Sequence, residues 1–308
     1  MSGREHVHKC IQATETGRAE TGRARGPRPL HASITDMPST APHAFDAAVQ
    51  LEPTGDGCWR GHTHAAYANM VGPFGGTTAA VMLAGVWQHA DRQGEPIALT
   101  VNYAGPVADG AFEVRAEPLR TNRSTQHWWV QLRQDDAVVA TATAVTATRR
   151  ETWSAVEAGF PAAPPAAVLE RAPTLGRARW TEAYDMRFVK GPLQFVAPPP
   201  SDQDSVSLLW VRDEPPRALD FLSLAALCDT FFPRVFVRRR TWVPIGTVSF
   251  TAYFHADSAT LQRIGTAALL AHARAHQFRN GYFDQSGELW GPSGELLAVT
   301  HQIVYYKE

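Results

Sequence analysis

The sequence predicts an α+β protein made of two similar halves, each with one long buried helix and an antiparallel sheet. Residues 77–90 form a run that is almost entirely apolar or small, which is typical of a helix buried on most of its surface. Four segments rich in β-branched and aromatic residues follow this run, with turn signals between them. The same order of elements returns after about 150 residues, which indicates an internal repeat.

The first half is expected to span residues 41–150. A glycine-rich turn at residues 72–76 separates its opening strands from its helix, Thr77–Ala90. The predicted strands are Ala47–Leu51, Gly57–His62, Ile97–Tyr103, Ala111–Pro118, Thr125–Arg133 and Val138–Thr148.

A proline- and alanine-rich stretch then predicts a semi-rigid linker over residues 151–175. The second half, residues 176–308, repeats the first with a helix, Ala218–Phe232, that ends before Pro233. The predicted strands are Tyr184–Val189, Val206–Val211, Gly246–His255, Gly265–Ala275, Asn280–Trp290 and Leu296–Tyr306. A long apolar helix beside a meander of strands is best buried when the sheet curls around it.

Composition excludes several classes of function. The formal net charge of −1 gives no reason to expect a nucleic-acid partner, and no apolar stretch is long enough to predict a membrane-spanning helix. Cys10, Cys58 and Cys228 form no close pair, which favours a reducing, cytoplasmic location without structural zinc. Nucleotide-binding glycine motifs and the GxSxG motif are absent, so we expect no cofactor and no serine hydrolase mechanism.

The first 40 residues differ from the rest. They are rich in Arg, Thr, Ala and Gly and show little apolar periodicity, which predicts a disordered tail. A patterned segment begins soon after Met37, which could be the natural start. His6, His8 and Cys10 lie in this tail, where a flexible chain cannot pre-organise metal ligands.

Four short segments carry a family resemblance. Leu227–Pro233 bears an aspartate a few residues before a proline, and Gly246–His255 is a strand with a threonine near its start. Leu297–Gln302 is a final strand that carries a glutamine, and Phe74–Gly76 is a turn into the first buried helix. In this order the segments resemble the type II acyl-CoA thioesterase family, whose members have a double-hotdog fold.

The resemblance implies that the chain hydrolyses an acyl-CoA thioester at one site in its second half. It assigns the activation of water to Asp229, Thr247 and Gln302, and part of the substrate site to Phe74, Gly75 and Gly76. The chemistry is consistent, because a carboxyl among apolar side chains has a raised pKa and can act as a base near neutral pH. A hydroxyl and an amide can orient the same water.

Each of these residues also has a purely structural interpretation. A buried aspartate near a helix end can hydrogen bond to the backbone, and Thr247 suits any strand. Gln302 is predicted to share a strand face with small neighbours, which favours a site. The first half has no equivalent residues, since Ala144 matches Gln302 and residues 77–80 hold no carboxylate.

Two other functions are considered for the same fold. An enoyl-CoA hydratase or dehydratase would need a histidine close to Asp229, and the residues that follow it include none. A non-catalytic acyl-binding protein is the second, because the residues between Thr247 and His255 differ from the family pattern, and Arg238–Arg240 and the open segment 191–205 could reshape the entrance. Arg238–Arg240 is interpreted as a loop that is either solvated or binds the phosphates of CoA. Unpaired sheet edges make a homo-oligomer a possible assembly.

Overall fold

The structure is a computed structural model, and it describes residues 42–195 and 198–308. The described part of the first half forms α1 (Ala44–Ala48), β1 (Glu52–Gly55), β2 (Cys58–His62), α2 (Gly75–Trp87), β3 (Glu95–Tyr103), β4 (Ala111–Thr121), β5 (Thr125–Gln134) and β6 (Ala137–Ala147). The described part of the second half forms β7 (Tyr184–Lys190), β8 (Ser207–Asp213), α3 (Phe221–Leu227), α4 (Arg234–Arg239), β9 (Ile245–Phe254), α5 (Ser258–Ile264), β10 (Leu269–Arg274), β11 (Phe278–Arg279), β12 (Tyr282–Trp290) and β13 (Leu296–Tyr306).

The strands of both halves join into one 13-stranded antiparallel sheet with the order β1-β2-β4-β5-β6-β3-β9-β13-β12-β10-β8-β7, and β11 pairs with β12 beside this path. The halves meet where β3 pairs with β9. Thr100 and Thr251 lie opposite each other at the middle of this pair, and their hydroxyls are 3.0 Å apart. The double-hotdog prediction is therefore confirmed, with two similar half-sheets joined edge to edge.

Helix α2 is buried along nearly its whole length, as its sequence predicts. Every residue from Gly76 to Val86 is buried. The helix contacts β4, β5 and β6 on one side and α3 on another. Because this helix is covered on all sides, no face of it meets water, and this explains why the run contains no charged residue.

The first predicted strand, Ala47–Leu51, is wrong. The chain forms the short helix α1 there, and β1 begins only at Glu52. The His43 side chain caps this helix by accepting a hydrogen bond from the backbone of Phe45 at 3.0 Å. Phe45 and Ala48 are both buried, and their three-residue spacing is the helical one.

The predicted helix Ala218–Phe232 is wrong in extent. Asp220 caps α3 by accepting a hydrogen bond from the Ser223 backbone, so the helix begins at Phe221. It ends at Leu227, whose carbonyl accepts a hydrogen bond from the Thr230 hydroxyl. The chain then turns and starts α4 after Pro233. The result is two short helices with an irregular turn between them, and this turn carries Asp229.

The remaining differences are smaller. Helix α5 was not predicted, although Asp257 is a typical N-cap and accepts a hydrogen bond from the Thr260 backbone. The strand predicted at Gly265–Ala275 is consequently shorter. Much of the proline-rich linker lacks helix and strand, and Pro164 accepts a hydrogen bond from the Trp210 indole. The predictions for residues 1–40 lie outside the described residues, and the domain boundaries stay predictions.

Candidate active site

Asp229 lies in the turn after α3 and contacts both halves of the protein. The Gln302 side-chain amide donates a hydrogen bond to Asp229 Oδ1 at 2.6 Å. The Gly76 backbone amide, at the start of α2, forms a second hydrogen bond to the same carboxyl group. One edge of the residue faces a cavity, so Asp229 is only partly buried when its whole surface is considered.

The environment of Asp229 makes it a weak acid. Burial raises the pKa of this carboxyl from 3.8 to about 7, although the hydrogen bonds from Gln302 and Gly76 act in the opposite direction. The nearby carboxyl charge in turn adds to the effect of burial in raising the pKa of Tyr103 well above its ordinary value. Asp229 can therefore exchange a proton near neutral pH, which is a property of a general base.

Gln302 lies on the inner face of β13, as its sequence pattern predicts. It is 3% exposed and shares this face with the buried Thr300 and Val304, while Ile303 points outward. Gln285 on β12 lies directly opposite Gln302 and is also buried. Gln285 was not predicted, although an inward-facing glutamine in a strand of alternating burial is a usable signal.

Thr247 faces the same cavity because β9 contains a bulge. Thr247 pairs with Val304 and Ser249 pairs with Ile303, so Val248 is an extra residue on this strand. Simple alternation would place Thr247 on the outer face with Ser249, and the bulge turns it inward. The cavity brings Thr247 together with Asp229 and Gln302, whereas the direct hydrogen bond joins only the latter two.

The cavity has a volume of about 560 Å³ and is mostly apolar, with eight aromatic residues among its described lining. Phe74 and Trp180 form a stacked pair with their ring centroids 4.3 Å apart, and Phe231 and Phe232 also line the wall. Asp229 and Arg177 are the two charged residues among the described lining residues. An apolar pocket with a few polar groups is the usual form of a small-molecule site.

The first half supplies the start of α2 to this site. Phe74 and Gly75 line the cavity, whereas the lining does not include Gly76. A side chain on Gly76 would collide with the Ala226 carbonyl, since a Cβ there would lie 2.6 Å from that oxygen. The Tyr103 hydroxyl donates a hydrogen bond to the Gly75 carbonyl at 2.8 Å and fixes this turn. Tyr103 was not predicted, because only the fold brings β3 beside the turn.

The strand register shows why the first half has no equivalent site. Leu99 pairs with Ala144 just as Phe250 pairs with Gln302, which places Ala144 at the position equivalent to Gln302. A matching bulge in β3 places Pro96 at the position equivalent to Thr247. Helix α2 contains no carboxylate.

The basic run Arg238–Arg240 is not the loop that was predicted. Arg238 and Arg239 form the last turn of α4, and Arg240 follows it in a left-handed conformation. Arg239 pairs with Glu308, and Arg240 donates a hydrogen bond to Gln203 at 3.0 Å. None of the three lines the cavity.

Within residues 42–195 and 198–308, no three His, Cys, Asp or Glu side chains are placed to hold a metal ion together. None of the helices in these ranges is both long and apolar enough to cross a membrane.

Family models match both halves of the chain. Residues 64–147 match the acyl-CoA thioesterase N-terminal domain, and residues 157–306 match the acyl-CoA thioesterase C-terminal domain. The chain belongs to the acyl-CoA thioesterase family that these two domain models describe. Both halves of the double hotdog are thus accounted for by the thioesterase models. A search of curated proteins finds no match.

Several solved structures are similar to this thioesterase family member. A conserved hotdog-fold protein of unknown function from Alicyclobacillus acidocaldarius is 49% identical, with a TM-score of 0.83, and the alignment covers 87% of this chain and 99% of that one. A putative thioesterase II from Thermobifida fusca is 20% identical with a TM-score of 0.74, covering 86% and 97%. The acyl-CoA thioesterase II TesB2 from Mycobacterium marinum is 20% identical with a TM-score of 0.68, covering 86% and 98%. The last two similarities concern the fold.

Proposed function

We propose that this protein is an acyl-CoA thioesterase that hydrolyses its substrate with a water activated by Asp229. The observation that carries the proposal is the position of Asp229. It is a carboxyl with a pKa of about 7 that faces an apolar cavity, between Gln302 and the start of α2. A base with a pKa near the working pH combines the correct protonation state with sufficient basicity.

The chemical step requires three groups around one water. Asp229 removes a proton from the water, and the water oxygen attacks the thioester carbonyl carbon. Thr247 and Gln302 orient this water, and the backbone at the start of α2 stabilises the negative charge on the carbonyl oxygen. The carbon–sulfur bond then breaks, and the thiolate takes the proton from Asp229, giving a free acid and CoA.

The lining of the cavity supports hydrolysis over hydration of an enoyl-CoA. That alternative was expected to need a histidine beside the aspartate. No histidine lines the cavity within the described ranges. The polar residues that share the cavity with Asp229 are two threonines, four side-chain amides and Arg177, and within the described ranges none of them can act as a second acid or base at neutral pH.

The activity should depend on pH in the way that a base with this pKa requires. We expect kcat/KM for an acyl-CoA, measured as release of free thiol, to rise with pH and reach a plateau above about pH 7. Activity rises with pH because Asp229 acts as a base only when it is deprotonated. The pH dependence of kcat/KM reports the pKa of this group in the free enzyme. Activity that stays constant from about pH 5 to pH 8 would contradict a catalytic base with a raised pKa, since an ordinary aspartate, with a pKa near 4, is already ionised over this range.

Replacement of Gln302 should shift the pH dependence of the activity. The Gln302 amide lowers the pKa of Asp229 by donating a hydrogen bond to its carboxylate. Gln302→Leu removes this hydrogen bond, so we expect the rising limb to shift to higher pH, together with a fall in kcat of about tenfold. Rates measured over the same pH range test this. A lower kcat with an unshifted limb would mean that Gln302 does not act on Asp229.

A further inference from the structure

Arg177 is the second charged residue of the cavity. It lies near the mouth, where Leu175 also lines the wall and is 96% exposed. The Arg177 side chain is half-buried, and burial lowers the pKa of its guanidinium.

The contacts of Arg177 hold the guanidinium in place without neutralising it. Its Nε donates a hydrogen bond to the Pro173 carbonyl at 2.8 Å, and its Nη2 donates one to the Leu193 carbonyl at 3.0 Å. The group lies 5.2 Å from the centre of the Phe232 ring. No carboxylate among the described residues forms an ion pair with it.

This combination suits an anionic ligand. A partly desolvated cation without a counter-charge is costly, and a bound anion would offset that cost. Two of its N–H groups hold the backbone, and a planar guanidinium has others with which to bind a phosphate.

We propose that Arg177 binds a phosphate group of the thioester carrier at the mouth of the cavity. The inference rests on the proposed function, because a thioester on CoA or on phosphopantetheine presents a phosphate on the side away from the acyl group. The acyl end then lies beside Asp229, among the aromatic side chains. Arg177 thereby sets the direction in which the substrate enters.

The test compares one acyl group on three carriers: CoA, phosphopantetheine and N-acetylcysteamine, which has no phosphate. For Arg177→Met we expect KM for the CoA thioester to rise about 10- to 100-fold with kcat nearly unchanged, because one charge-assisted contact is lost. KM for the N-acetylcysteamine thioester should not change. Arg179→Met is the matched control, since Arg179 is exposed and pairs with Glu182.

The phosphopantetheine thioester shows which phosphate group of CoA contacts Arg177. An effect of Arg177→Met on this substrate assigns the contact to the phosphate next to pantetheine, and an effect on CoA alone assigns it to a phosphate further along CoA. Equal effects on all three carriers, or none on any, would overturn the proposal. Arg177 would then serve only to hold the backbone carbonyls of Pro173 and Leu193.

Failure of the proposed function can be told apart from failure of this inference. The affinity for CoA itself, measured by titration calorimetry, does not require turnover. Weaker binding of CoA by Arg177→Met than by the wild type supports the phosphate contact even if no thioester is hydrolysed. Equal binding by both proteins overturns it.

Discussion

Asp229→Asn should reduce kcat for acyl-CoA hydrolysis by about 10²- to 10⁴-fold, the usual contribution of a well-placed general base. Asparagine has nearly the same shape, and its side-chain oxygen can still accept the hydrogen bond from Gln302. It cannot take a proton from water. The affinity for CoA should stay within a few-fold of the wild type, so the measured loss would belong to the chemical step.

Asp213→Asn is the matched control for this variant. Asp213 is also a buried carboxyl, 3% exposed, and burial raises its pKa to about 6. It accepts a hydrogen bond from the Ser223 hydroxyl at 2.5 Å and does not line the cavity. We expect the thioesterase activity of Asp213→Asn to remain near that of the wild type. Equal losses in both variants would show that buried carboxyls support the fold and that Asp229 has no special role.

Stability provides a second check on Asp229→Asn. The pKa of Asp229 is about 7 in the folded protein and 3.8 ordinarily, so the folded state binds a proton more tightly than the unfolded state. Between these values, a rise in pH therefore makes Asp229 progressively more destabilising. Asparagine removes this effect, and at pH 8 we expect the variant to have a Tm no lower than the wild type.

Gly75→Ala should reduce kcat by on the order of 100-fold, because small misplacements in an active site have effects of this size. A Cβ on Gly75 would lie 2.8 Å from Asp229 Oδ2, which is too close for two non-bonded atoms. It would also lie 3.4 Å from the Tyr103 hydroxyl, which limits movement on that side. The carboxyl must therefore shift.

Two measurements separate this effect from a loss of folding. Alanine is a better helix former than glycine by about 1 kcal/mol in helix interiors, so α2 itself should not be weakened. Gly55→Ala is the control, because a Cβ at that position meets no atom within 4 Å. If Gly75→Ala and Gly55→Ala are equally active, the close packing of Asp229 against the start of α2 is not needed for catalysis.

The large elements of the fold could be predicted because local patterns encode them. The structure contains the apolar helix α2, the strand β13 with alternating burial, and the repeated order of elements, nearly as the sequence patterns predict. The errors fall where side chains compete with the backbone. Asp220 and Thr230 shorten the predicted second helix, and His43 caps a helix where a strand was expected.

The predicted site residues Asp229, Thr247 and Gln302 line one cavity, but their catalytic roles stay predictions, and Gln285 and Arg177 were not predicted. Asp229, Thr247 and Gln302 could be named from short motifs, but Thr247 reaches the cavity only through a bulge that the motif does not show. Tyr103 and Arg177 come from segments far apart in the chain, so no local pattern could join them to Asp229. The cytoplasmic location, the homo-oligomer and the domain boundaries stay predictions.

The most direct test of the account is turnover by the wild-type protein. Short, medium, long and aromatic acyl-CoAs are incubated with the protein, and the free thiol is measured over time. We expect multiple turnovers on at least one of them, with the preferred acyl group identifying the substrate class. A folded protein that binds acyl-CoA but releases no thiol from any of them would contradict the account and indicate an acyl-binding protein.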